Sequence, residues 1–185
     1  MIMKQTLPYW HELPDLDLYL DQVLLYVNQV VNSQESLEQK SLYSMKIYSS
    51  LGNEADDRTG VHQGKLTRDN VDFRRVLTAA MINNYVKHKQ IEKPVKKKYQ
   101  KQQVARLIAL TILKNVFSIQ EISQTLNLLL HSNNSETLYN HFVDCMRNEE
   151  SDETPDIIRY ACQSVKLYYK TRQLTMELER SHHES

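Results

Sequence analysis

Glycine and proline are scarce in this chain, at 3 and 4 of 185 residues. Runs of Val, Ile and Thr bounded by turn residues are missing too. Both shortages weigh against a strand-rich fold, and the abundance of Leu, Gln, Lys and Glu gives a helical bias. Cysteine is limited to Cys145 and Cys162, each among apolar neighbours at helical spacing. Two cysteines build no disulfide framework. They read as small core residues in a reducing compartment, with one bond between them as the alternative. No basic region followed by an apolar run opens the sequence, and no apolar stretch reaches bilayer length, so a cytoplasmic protein without a membrane partner is expected.

The motifs of catalysis and metal binding are absent as well. There is no Gly-x-Ser-x-Gly, no glycine-rich loop before a helix, no His-Glu-x-x-His and no Cys-x-x-Cys. The seven histidines fall at no metal-ligand spacing. Asp15, Asp17 and Asp21 share the start of a helix, where acids serve the helix dipole. No enzyme activity, cofactor or metal is expected.

A formal net charge of zero argues against a general binder of polyanions, but the charge is unevenly spread. From Arg74 to Lys114, eleven Lys and Arg stand against a single acid, Glu92. Each flank carries six basic and eleven acidic residues. A basic segment inside an acidic body is the footprint of a nucleic-acid contact, or else a solvated face.

Apolar spacing organises the rest. Residues 1–13 form an apolar arm, with Leu7, Tyr9, Trp10 and Leu13, that packs across a helix. Leu16, Leu20, Val23, Leu24, Val27 and Val31 predict a first helix over 15–31, with Pro14 before it. A second helix is expected over 33–51. Residues 52–70 hold every glycine and an acidic cluster, and read as a mobile loop, either functional or merely tolerated. Thr78 caps a short helix over 78–89. Ile91-Glu92 and Lys97-Lys98-Tyr99 are expected to pair as two short strands around Lys93-Pro94-Val95-Lys96. A helix over 100–115 is apolar over most of its circumference and should be central. Ser118 and Glu121 form a capping box for a helix to Leu130, whose Ile119, Ile122, Leu126, Leu129 and Leu130 face inward. Two last helices follow over 135–147 and 154–178, the second capped by Thr154 with Pro155 at its first position.

A helix, a basic hairpin and two more helices make the sequence form of a winged helix-turn-helix. That fold lays one helix in the major groove and its hairpin on the flanking phosphates. Asparagine can pair with adenine and lysine with guanine or phosphate. Asn83, Asn84, Lys87 and His88 are therefore the base-side candidates. Lys93, Lys96, Lys97, Lys98, Tyr99 and Lys101 are the phosphate-side candidates. For Asn83 and Asn84 the bland alternative is solvated helix surface; for Tyr85 and Tyr99 it is core packing.

These residues carry two resemblances. From Tyr85 to Ile122 the chain resembles the DNA-binding domain of the MerR family of bacterial regulators. The counterparts are Ile82-Asn83-Asn84-Tyr85, Pro94 with Lys96 to Lys98, Tyr99, Ala105-Arg106-Leu107 and Phe117-Ser118-Ile119-Gln120-Glu121-Ile122. The first helix stands more than forty residues before Thr78, and the family's arginine is replaced by Asn83. The chain is also similar to a bacterial family known as domain of unknown function 1836. This likeness rests on Leu13-Pro14-Asp15-Leu16-Asp17-Leu18-Tyr19-Leu20-Asp21-Gln22-Val23 and on Met81-Ile82-Asn83-Asn84-Tyr85-Val86-Lys87, and that label carries no function.

The expectation is an all-α protein. A MerR-like winged helix-turn-helix with a short two-stranded wing would occupy 1–131, interrupted by a segment over about 33–72. A C-terminal helical pair over 132–185 would serve dimerisation or effector binding. The MerR resemblance implies a transcription regulator that binds duplex DNA, as a homodimer on a palindromic site. The alternative is a protein-interaction module that keeps the fold without binding DNA.

Overall fold

The computed structural model describes residues 7–32, 77–149 and 151–183. The helix expected over 33–51 and the loop expected over 52–70 lie outside the described residues. A 3-10 turn at Trp10–Glu12 leads to strand β1 (Leu18–Tyr19) and helix α1 (Leu20–Asn32). Then come α2 (Ala79–Lys87), strand β2 (Lys98–Tyr99), α3 (Lys101–Leu113), α4 (Ile119–Leu130), α5 (Ser135–Arg147) and α6 (Asp156–His183). The described protein is mostly helical, with one small sheet.

Helix α3 is the centre. Val104, Leu107, Ile108, Leu110 and Ile112 are buried, and α1, α4, α5 and α6 all pack on it. Even its Thr111 hydroxyl is turned inward, donating to the Leu107 carbonyl at 2.7 Å. This is the all-round apolar helix the sequence predicted. Val23, Val27 and Val31 bring α1 onto it at helical spacing. The capping box of α4 forms as expected: the Glu121 amide donates to Ser118 Oγ at 3.2 Å, and the Ser118 amide donates to Glu121 Oε2 at 2.9 Å. The Ser118 hydroxyl, donating to Glu121 Oε2 at 2.7 Å, and then the Ser118 amide hold the Glu121 carboxyl below its ordinary range. The N-terminal arm packs across α5. Arg147 donates to the Leu7 carbonyl, the Trp10 amide to Asn140 Oδ1 at 2.9 Å, and the Tyr9 hydroxyl to Asp144 Oδ1 at 2.8 Å. Cys145 and Cys162 are buried and not joined in a disulfide.

Four expectations need correction. The first helix begins at Leu20 rather than residue 15, because Leu18 and Tyr19 find strand partners in Tyr99 and Lys98. Ile91-Glu92 is consequently no strand. The Ile91 side chain is buried and its amide donates to the Tyr85 carbonyl, closing the turn after α2. The sheet pairs β2 with β1 antiparallel, so the basic segment is anchored to the N-terminal part of the chain. Thr154 does not cap α6: its hydroxyl meets His141 Nδ1 at 3.2 Å, and the Pro155 carbonyl accepts the first helical bond, from Arg159. In α4 only Ile122 of the inward set is fully buried; Leu126, Leu129 and Leu130 are half-buried.

Candidate nucleic-acid interface

Helix α2 begins as the sequence predicted, with Thr78 Oγ1 accepting from the Met81 amide at 3.3 Å. Its place is set from α1. Asn28 clasps the backbone just before it, donating to the Leu77 carbonyl at 2.9 Å and accepting from the Leu77 amide at 2.7 Å. Ile82 and Tyr85 are buried, and burial pushes the Tyr85 hydroxyl above its usual pKa. The opposite side leaves Asn83, Asn84 and Lys87 exposed, with His88 exposed at the cap. Asn83 and Lys87, one turn apart, share a side; so do Asn84 and His88.

After α2 the backbone turns sharply at Lys89, whose φ is 56°. Buried Gln103 fixes the next segment. Its Nε2 donates to the Glu92 carbonyl at 2.8 Å, and its Oε1 accepts from the Gln100 amide at 2.7 Å. Between those anchors, Val95 and Lys98 exchange backbone hydrogen bonds of 3.0 and 2.9 Å around Lys96 and Lys97. Both central lysines have positive φ, 48° and 66°. This is a mirror-image two-residue turn, a geometry dominated by Asn and Gly because other residues crowd their Cβ there.

The turn puts Lys93, Lys96 and Lys97 in solvent. Among the described residues no carboxylate pairs with them or with Lys87. Lys98 is half-buried, its Nζ 4.9 Å above the Tyr19 ring. Lys101 is half-buried too, bound to Asp15 and 6.0 Å from the Trp10 ring. Tyr99 is not on the surface: it lies in the core, where burial raises its pKa. Its inclusion among the phosphate-side candidates is therefore corrected to core packing.

Asn28 and Gln103 were missed by sequence reading, although each left a trace. Asn28 is an amide one residue after Val27 on an apolar helix, and Gln103 is the last of three glutamines, the one next to Val104 at the entry to the most apolar helix.

A second surface is apolar. A cavity of about 280 Å³ opens between α3, α4, α5 and α6, lined by Leu126, Leu129, Leu138, Phe142, Ile157 and Tyr160 among others. No described helix is long and apolar enough to cross a membrane, and no group of three or more His, Cys, Asp or Glu gathers among the described residues.

Fold and surface together define a mostly helical module with a small two-stranded sheet, a polar helix face and a lysine-bearing turn. The chain belongs to the family described as Domain of unknown function (DUF1836), whose model matches residues 8–53 and 56–142. The match covers α2, the lysine turn and most of the core, and stops within α5. No curated protein and no solved structure matches the chain.

Proposed function

We propose that this protein binds duplex DNA as a MerR-like winged helix regulator, with α2 in the major groove and the lysine turn on phosphates. One observation carries the reading: two lysines occupy the strained central positions of the 95–98 turn. Each costs about 1 kcal/mol there relative to glycine. Strain retained at an exposed, charged turn points to a ligand of opposite charge rather than to stability. The exposed Asn83, Asn84, Lys87 and His88 supply base-edge donors and acceptors beside it. Lys93, Lys96 and Lys97 supply free charge for phosphate, while Lys98 and Lys101 share theirs with Tyr19 and Asp15. Two copies on a palindromic site would match this mode of binding.

The test separates charge from turn geometry. Lys96→Asn/Lys97→Gly removes two charges and installs the pair this turn prefers. Duplex binding is measured against salt concentration, together with urea stability. The variant should be more stable by about 1 kcal/mol, and its log–log salt slope should be shallower by roughly two contacts at about 0.9 each. An unchanged slope would remove the turn from the interface. Failure of the wild type to bind duplex at about 50 mM salt, where non-specific affinity is strong, would favour the interaction module. The apolar cavity beside α6 is the observation that keeps this second reading in play.

A further inference from the structure

Helix α6 carries two apolar stripes on opposite sides. Ile158, Cys162 and Val165 are buried against the body, and Tyr169 packs beside them. After Tyr169, no described side chain of α6 joins the core. The other stripe faces solvent: Ile157, Tyr160, Leu167, Leu174 and Leu178 are 52, 63, 68, 46 and 63% exposed. With Ser164 and Thr171, these outward positions recur at alternating steps of three and four from 157 to 178. That is the a and d spacing of a coiled-coil seam, held over three heptads. Isolated surface leucines have no reason to keep such a register. At its N-terminal end the seam runs into the apolar cavity, since Ile157, Tyr160 and Ser164 belong to both.

We propose that a second copy of this chain covers this surface, the two α6 helices pairing antiparallel along the seam. The Leu174 and Leu178 end of each copy then lies against the cavity-bordering end of the other. The direction follows from the residues. In a parallel pair like meets like, so Ser164 would face Ser164 and Thr171 would face Thr171, giving two polar, underfilled layers. In an antiparallel pair every a position faces a d position. The small polar residues then meet Tyr160, Leu167 or Leu174, and large fills small at each layer. A twofold axis near Leu167 closes the assembly at two copies, because the same patch serves both sides. Burying the five large seam side chains of two copies removes on the order of 1,200 Å² from water, the lower edge of stable interfaces. The cavity rim adds to that. This pairing uses the homodimer of the preceding proposal and none of its DNA contacts, so either can fail while the other stands.

The full chain is run on size exclusion with light scattering, as wild type and as Leu167→Glu/Leu174→Glu. Wild type should have twice the chain mass. The double variant should be a monomer with unchanged far-ultraviolet circular dichroism, because neither side chain supports the core. A monomeric wild type, or a double variant that stays dimeric, overturns the proposal. Direction is read from two single cysteines under mild oxidation, with the buried Cys145 and Cys162 of the wild type as control. Leu167→Cys should cross-link near the axis. Two copies of Leu178→Cys should stay apart, because 1.5 Å per residue separates them by roughly 25 Å or more. Ready cross-linking at position 178 would mean a parallel pair and would overturn the assignment.

Discussion

The lysine turn and the outer face of α6 are both exposed, yet they are exposed in opposite ways. Around the turn the backbone is tightly held: buried Gln103 grips it on both sides, half-buried Asn28 fixes the entry to α2, and β1 pairs with β2. The side chains that leave this frame are charged and, among the described residues, lack carboxylate partners. On α6 the backbone is an ordinary helix and the side chains that face outward are hydrocarbon. The first surface withholds charge from internal pairing and suits an anion. The second withholds apolar area from the core and suits another apolar surface. An exposed charge costs a folded chain little, whereas a long apolar stripe in water is a liability unless something covers it. The contrast thus bears more heavily on α6 than on the turn.

Both surfaces hang on α3, so the largest effect expected is one that damages them together. Leu107→Ala empties a fully buried position and should cost about 3 kcal/mol in urea unfolding, in the range of buried leucine truncations. Leu167→Ala on the seam, measured in protein dilute enough to be monomeric, should change stability by less than about 0.5 kcal/mol, as exposed substitutions do. Equal losses at the two positions would show that the outer stripe of α6 is part of the monomer's core, and the contrast would collapse.

Asn28→Ala should separate the two surfaces. It strips both hydrogen bonds from the Leu77 backbone at the start of α2 and should cost about 2 kcal/mol, leaving a partly buried amide and carbonyl without partners. Duplex affinity should fall with it, because α2 loses its fixed entry, while the mass of the assembly in light scattering should not change. Loss of both properties in this variant would mean that the two surfaces are coupled through α1.

Much of this arrangement could be read from the chain. All six described α-helices follow from apolar spacing, some with cap residues such as Thr78 and Ser118, because helical contacts are local. The β1–β2 pairing could not be read in the same way. Leu18 meets Tyr99 across some eighty positions, and two-residue strands leave no alternation to detect. The anchors Asn28 and Gln103 look in sequence like ordinary polar surface, and only packing reveals what they hold. Periodicity also misled in one direction. It marks an apolar face but not its destination, so Leu126 and Leu129 were expected to face inward. They are half-buried and border a cavity, and the outer seam of α6 carries the same kind of spacing. In the basic segment the candidate lysines were visible as charge. Which of them are engaged, as Lys101 is with Asp15, depends on the fold.

A smaller loss than those at Leu107 and Asn28 is expected at the arm on α5. The Tyr9 hydroxyl donates to Asp144 Oδ1 at 2.8 Å with Glu149 Oε2 at 3.1 Å, and Arg147 lies 4.1 Å over the ring. Chiefly through the bond to Asp144, the phenol is pushed up from 10.0 to about 12. The folded state therefore favours the protonated phenol. Its contribution is fully present below pH 10 and disappears as pH rises from about 10 towards 12. Tyr9→Phe should cost about 1 kcal/mol at neutral pH, the usual worth of a hydrogen bond that remains open to solvent. The stability difference between wild type and variant should then narrow steadily over that alkaline window, which cancels the lysine titrations common to both. A difference that stays constant to pH 12 would mean that the arm is held by Arg147 and by the packing of Leu7 and Trp10, with the hydroxyl contributing nothing. Duplex binding and assembly mass at neutral pH should match wild type in either case, since neither the lysine turn nor the outer face of α6 touches Tyr9.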